Sequence, residues 1–279
     1  MPLGEEITIR PFETGSDFLA CEALQRETWG KDLAEVVTTS LAKIVQKIGG
    51  IAAGAFDANG EMLGFVFGFT GYQGGRPVHW SHMLAVKQQA RDLGLGRKLK
   101  LYQRDTLLKM GVKEVFWTYD PLVAKNAHLN FNCFGVEATE YVPHMYGPGE
   151  DSELFRGLGT DRFIVVWWIA SDRAARAIAG QHAFDVKLFS ASPLAVGRSV
   201  EADEHSAPRI SEFSRQPRVR VEIPPDIHAA RAVSVQAAAH WREMTREAFQ
   251  FYLSNGYEVA GFYRDKTTGR CFYCLQVKR

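Results

Sequence analysis

At 279 residues, 46% of them hydrophobic, the chain can bury one large core or two unequal ones and reads as an ordinary globular protein. Its 33 Lys and Arg nearly balance 32 Asp and Glu, and a net charge of +1 gives no global attraction to nucleic acid or to an anionic membrane. The N-terminal Met-Pro-Leu-Gly-Glu-Glu carries no basic-then-apolar signal, and the longest apolar run, Phe163 to Ala170, is far too short to span a bilayer, so the protein is placed in the cytoplasm.

In chain order, helices are predicted at about 16 to 28, with Ser16 as N-cap, and at 36 to 48, stopped by Gly49-Gly50. Strands at 50 to 57 and 61 to 69 are joined by Asn59-Gly60, the strongest short hairpin signal present. Val78 to Val86 alternates as a strand. After it, Leu95, Leu99, Tyr102, Thr106 and Met110 recur at helical spacing until Gly111. A strand at 114 to 119, a helix from Asn126, strands near 136 to 142 and 163 to 169 and a helix near 172 to 181 follow. Residues 190 to 220, rich in Ser, Pro, Arg and Glu, read as linker. In the tail, Trp241, Met244, Ala248 and Phe251 mark one helical face, Asn255-Gly256 ends that helix, and Tyr257 to Tyr263 with Cys271 to Val277 forms a hairpin across Thr268-Gly269.

The segment that carries chemistry is Gln89-Ala-Arg-Asp-Leu-Gly-Leu-Gly96, between a strand and a helix. Gly94 and Gly96 present no side chain to hold an anion off the backbone, and the first N–H groups of a helix have no partner within it. Such a junction binds anions, here with backbone from Leu93 to Arg97. It is neither a dinucleotide fingerprint, lacking G-x-G-x-x-G, nor a Walker loop, lacking G-K-[ST]. Cys271-Phe-Tyr-Cys274 has no second Cys or His pair of matching spacing and is read as buried thiols in a strand, with no metal.

Arg91-x-x-Gly94-x-Gly96 after a strand ending Met-Leu-Ala-Val resembles the acyl-CoA pyrophosphate loop of the GNAT superfamily of N-acyltransferases. The resemblance covers about residues 7 to 170 in the family's order, from Ile7-Thr-Ile-Arg-Pro-Phe12 through the Glu114-Val-Phe-Trp-Thr-Tyr119 strand to Asn126-Ala127, Phe131 and Gly135-Val136. Trp117 to Leu122, Asn126 to Asn130 and Thr160-Asp-Arg162 are similar to a longer bacterial subgroup of predicted acyltransferases. The resemblance implies an α/β (α+β) fold with a mixed, mostly antiparallel central sheet flanked by helices. It implies acetyl-CoA or another acyl-CoA as donor, contacted by Leu84, Ala85, Val86, Arg91, Asp92, Leu93, Gly94, Leu95, Gly96, Arg97, Asn126 and Phe131, and a small-molecule amine or amino acid as acceptor. Phe131 stands where many members carry a tyrosine proposed as general acid, so that role does not transfer. The tail resembles the last helix and strand of such a domain, a degenerate half-repeat without a phosphate loop. The expected organisation is therefore a catalytic domain at 1–171, a helix and linker at 172–220 and a C-terminal α/β lobe at 221–279 that packs on the first domain or forms a homodimer contact.

Acyl transfer to an amine needs a base for the amine and a proton for the leaving thiolate. On the cofactor strand the imidazole of His82 is preferred as base, with Ser81 or His79 second and Glu27 an alternative through water. For the thiolate, Tyr146 in the turn-rich Pro143-His-Met-Tyr-Gly147 is preferred over Tyr141. Trp29, Trp80 and Trp117 could line the acceptor pocket, and Arg156 or Arg162 could pair with a carboxylate, as on a succinyl group. A non-catalytic acyl-CoA sensor is the alternative from another class.

Overall fold

The computed structural model describes residues 7–31, 35–147, 158–181, 185–198, 209–210 and 213–278. The chain packs as two compact units, one of residues 1–117 with 168–170, the other of 118–167 with 171–279. The chain thus passes between units after Trp117 and after Trp167, both inside strands, and again after Ala170, and 221–279 shares a unit with 118–167.

The first unit contains β1 (Thr8–Pro11), α1 (Gly15–Trp29), α2 (Thr39–Lys47), β2 (Ile51–Phe56), β3 (Met62–Gln73), β4 (Arg76–Val86), α3 (Leu95–Lys109) and most of β5 (Glu114–Tyr119). The sheet order is β1-β2-β3-β4-β5, antiparallel throughout except that β4 and β5 are parallel. The β2–β3 connection turns at Gly60, where φ is 79°, and Asp57 accepts from the N–H groups of Asn59 and Glu61 at 3.0 and 2.8 Å. The cap of α1 is Thr14 rather than Ser16, because Asp17 three residues on completes a capping box with it. Asp17 also pairs with Arg10 of β1 at 2.7 Å, which fixes the helix entry against the sheet. Phe12, Phe18, Leu24, Val45, Phe56, Phe65 and Phe67 form a buried cluster between α1, α2 and the strands.

The second unit contains α4 (Ala124–His128), which widens into a π-type turn at Leu129–Phe134, then β6 (Glu137–Val142), β7 (Arg162–Trp168, less its last residue), α5 (Asp172–Ile178), α6 (Val186–Ser190) and β8 (Leu194–Gly197). These are followed by β9 (Arg209–Ile210), β10 (Arg218–Ile223), α7 (Ile227–Val233), α8 (Val235–Ser254), β11 (Tyr257–Arg264) and β12 (Cys271–Val277). Strands β6 and β7 pair antiparallel, and β11-β12-β10-β8-β9 form a second sheet. The stretch expected as linker therefore supplies three strands: buried Ala195, Val196, Val219 and Val221 sit in runs too short for periodicity to separate from loop. α8 and β12 pack onto residues 118–167 through an aromatic cluster in which Phe249 lies 4.8 Å from Phe163 and 5.4 Å from Tyr141, and Tyr273 lies 5.6 Å from Phe163. Among the described residues no helix is long and apolar enough to cross a membrane.

Candidate functional site

After Val86 the chain makes a single 3₁₀ turn at Gln88–Ala90, extends at Arg91 and reaches two left-handed residues, Asp92 and Gly94, both with φ 69°. Gly94 caps α3, a position that glycine takes without a Cβ penalty. The first helical hydrogen bond runs from Lys98 N–H to Gly94 C=O at 3.0 Å, so the N–H groups of Leu95, Gly96 and Arg97 lie ahead of it. No acidic residue occupies the first turn, although the helix dipole would favour one there. Gly96 itself is helical, and a Cβ built on it meets nothing closer than Leu84 Cδ2 at 3.7 Å. Neither backbone conformation nor internal packing requires glycine at Gly96.

β4, which leads into this loop, changes character halfway. Val78, His79 and Trp80 pair with Glu114, Val115 and Phe116 of β5, whereas Ser81 to Val86 lie beyond the described β4–β5 pairs. On its other edge β4 remains paired with β3 through Phe65↔Ala85 and Gly64↔Val86, with a bulge between Gly68↔Ser81 and Phe67↔Met83. His82 is the extra residue of that bulge. Bulges re-aim a side chain, and here the imidazole rests between the rings of Phe69 at 5.6 Å and Phe67 at 6.3 Å. Burial lowers the His82 pKa, with Glu35 opposing, so the ring is neutral at physiological pH. Leu84, Ala85, Val86, Arg91, Asp92, Leu93, Gly94, Leu95, Gly96 and Arg97 are thus continuous along the outer half of β4 and the start of α3. Glu27 is exposed on α1, two residues before Trp29, whose ring packs 6.3 Å from Phe65.

Behind β4 lies a buried polar chain. Lys100 of α3 donates to Ser81 Oγ at 2.7 Å and to Gln103 Oε1 at 3.3 Å, and its Nζ lies 3.8 Å from the centroid of the Trp117 ring. Gln103 Nε2 stands 3.0 Å from His79 Nε2, and His79 Nδ1 stands 3.0 Å from Thr70 Oγ1, which donates to Gly49 C=O at 2.7 Å. A lysine only donates, so the whole chain runs one way, with His79 accepting at Nε2 and donating from Nδ1. His79 is therefore a satisfied core histidine and not a base. Burial, then the charge of Lys100, pushes its pKa down to about 3. Burial alone takes Lys100 down to about 7, and among the described residues no carboxylate pairs with it. Gly68 allows this packing: a Cβ there would stand 2.3 Å from His79 Nε2. Lys100 and Gln103 were not among the residues expected to matter. Their signal is the spacing i, i+4 and i+7 from Gly96 on one helical face, hidden because both are polar.

The remaining expected residues belong to the second unit. Asn126 is exposed on α4, while Phe131 is 3% exposed with its ring 6.0 Å from Tyr273, so its side chain is engaged in the core. Tyr141 is ruled out as a proton donor to a thiolate. Its hydroxyl donates to Asp161 at 2.5 Å, and burial followed by the Asp161 charge raises its pKa above the ordinary tyrosine value. Tyr146 is 45% exposed, its hydroxyl 3.0 Å from Thr118 Oγ1, and the Arg162 guanidinium lies 5.4 Å from its ring centroid. Arg162 stands 3.8 Å from Asp120, the carboxylate that Arg242 binds at 2.6 Å. Arg156 lies outside the described residues.

No protein-family model matches the sequence, and no curated protein does. Among solved structures the chain is similar to the ribosomal-protein-S18-alanine N-acetyltransferase from Escherichia coli, with TM-score 0.47, 20% identity and coverage of 60% of this chain and 96% of that one. It is similar to a GNAT family N-acetyltransferase (YhbS) from Escherichia coli in complex with CoA, with TM-score 0.39, 21% identity and coverage of 63% and 86%. It is similar also to Ard1 from Thermoplasma volcanium, with TM-score 0.44, 15% identity and coverage of 57% and 95%. These likenesses are remote and carry no assignment of activity. The geometry of the chain itself agrees with what the resemblance implies: an antiparallel β1–β4 sheet, a bulged strand paired with its parallel neighbour over only Val78 to Trp80, and a glycine loop at a helix start.

Proposed function

We propose that this chain is an acyl-CoA-dependent N-acyltransferase that holds the donor diphosphate on the backbone of Leu93 to Arg97 and passes the acyl group directly to the amine of a small molecule or amino acid. The observation that carries this reading is Gly96, a glycine inside a helix with room for a side chain and no internal reason to lack one. Arg91, Arg97 and Lys98 add positive charge around it. His82, re-aimed by the bulge and neutral because it is half-buried, is the group on β4 suited to take the amine proton. Glu27, exposed on α1, would act only through water. Tyr146, with its hydroxyl near Thr118, is retained as a candidate donor to the thiolate. Acetyl is the default acyl group. A carboxylate-bearing acyl group such as succinyl is the second form of the same activity, although Arg162, the residue expected to meet it, is buried and stands 3.8 Å from Asp120.

Thiol release from acetyl-CoA in the presence of a broad panel of amines tests the reading, with direct CoA binding measured alongside. Turnover with at least one class of amine is expected. Tight CoA binding without release of thiol on any amine or acyl donor would instead favour a non-catalytic acyl-CoA sensor.

A further inference from the structure

Lys100 is a buried ammonium carrier in a place where leucine or methionine would serve the core better. A charge removed from water without a carboxylate partner destabilises the fold, and replacing such a group by an apolar one is often neutral or stabilising. Its position is specific. Ser81 directly follows Trp80, the last described β4 residue paired with β5, and Trp117 directly follows Phe116, the partner of Trp80. By reaching Ser81 Oγ at 2.7 Å and the Trp117 ring at 3.8 Å, Lys100 joins the two strands at the point where they part. Gly96 lies one helical turn earlier on the same face, against Leu84 of the outer half of β4. α3 therefore runs beside β4 from the anion end to the fork.

We propose that Ser81, positioned by Lys100, delivers the proton that the CoA sulfur takes up as the thioester breaks. This rests on the reading of Gly94 to Gly96 as an acyl-CoA site and assigns the thiolate proton to Ser81 in place of Tyr146. Lys100 donates to Ser81 Oγ, which leaves the serine O–H to donate elsewhere. When the amine nitrogen has attacked and the C–S bond breaks, its electron pair goes to sulfur. The Ser81 O–H proton moves to sulfur, an N–H proton of Lys100 replaces it on Ser81, and Lys100 is left a neutral amine. Solvent then returns to Lys100 the proton that the acceptor nitrogen lost. The groups that face Lys100 are Ser81 of β4, Gln103 of α3 and Trp117 of β5, with neutral His79 behind Gln103. Glu114, at the other end of β5, is bridged to Arg76 at 3.5 Å. With Lys100 brought to about 7 by burial, its ammonium is an acid close in strength to a thiol near 8.5, so proton transfer between them is nearly balanced.

The test reads the sulfur directly. Bound CoA is titrated by the ultraviolet absorbance of its thiolate in the full-length protein, in Ser81→Ala and in Lys100→Met, with CoA affinity followed by calorimetry. The thiol of CoA bound to the wild type should titrate below that of free CoA, and each variant that retains CoA should raise it by about one pH unit or more. The two variants fail independently, so a folded, CoA-binding form of either one suffices. A bound thiol that titrates alike in the wild type and such a variant would overturn the proposal. A wild type that does not bind CoA at all would instead remove the acyl-CoA reading, and this proposal with it.

Discussion

Gly96 is a residue whose identity the unliganded protein does not need. An interior helical glycine costs about 0.5–1 kcal/mol relative to alanine. Gly96 sits in the first turn of α3, so Gly96→Ala is predicted to raise the stability of the unliganded protein by up to that amount, read by denaturant titration, while weakening CoA binding. His82 belongs to the same scale. If it removes the amine proton, His82→Ala should lower kcat by about 10²-fold or more, with CoA affinity little changed. The sign with pH follows from its depressed pKa: the base is competent when deprotonated, so the wild-type rate should rise with pH through a value below 6.5, and the variant should lose that acidic limb. A variant with the wild-type rate and profile would move the role to Glu27 or to solvent acting on an already neutral amine.

At the scale of elements, the start of α3 was legible and its interior was not. Gly94, Gly96 and the preceding strand announce a strand-to-loop-to-helix junction, because glycine acts through the backbone and needs no tertiary partner to be recognised. The stripe Leu95, Leu99, Tyr102, Thr106 and Met110 was displaced from the buried face, which is Leu95, Leu99, Lys100, Gln103 and Leu107, with Met110 42% exposed. Steps of three and four are equally helical, and apolarity chose the wrong one because the true face carries a lysine and a glutamine. His79 misled in the same way: a histidine on the cofactor strand looks like a base until Gln103 and Thr70 are found on its two nitrogens. The buried lysine has a thermodynamic signature. Its pKa is about 7 folded and 10.5 in the unfolded chain, so unfolding takes up a proton between those values and its contribution to stability rises with pH across that window. Lys100→Met should flatten that rise in melting temperature between about pH 7 and 10.5, and an unchanged slope would show that the amine is not held in a desolvated site.

On the scale of the whole molecule, the expected face of α8 was legible only in part: Trp241 and Ala248 are buried, Met244 and Phe251 are partly exposed, and Phe249 and Tyr252 complete the buried face, whose target lies within its own unit. Arg242 binds Asp120 at 2.6 Å and Leu158 C=O at 2.7 Å, Arg246 grips both oxygens of Asp161 at 2.8 Å, and Tyr273 donates to Pro121 C=O at 2.7 Å. That 118–167 shares a unit with the tail was not legible, because composition marks where a chain looks loose, whereas packing is decided by partners distant in sequence such as Phe163 and Phe249. Truncation after Ser190 should therefore expose Phe163 and Tyr141, deprive Asp120 of Arg242 and Asp161 of Arg246, and yield an insoluble or unfolded product, checked by size-exclusion chromatography and circular dichroism. Phe249→Ala should cost about 3–5 kcal/mol by denaturant titration, the range for removing a fully buried phenylalanine. The claim on which the functional account turns is that the backbone at the start of α3 holds the diphosphate of an acyl-CoA. Its most direct test is calorimetry of CoA with the wild type and with Gly96→Asp, which places both bulk and negative charge in the first turn of α3. The account predicts that the wild type binds and that the folded variant does not, whereas equal binding by the two would contradict it.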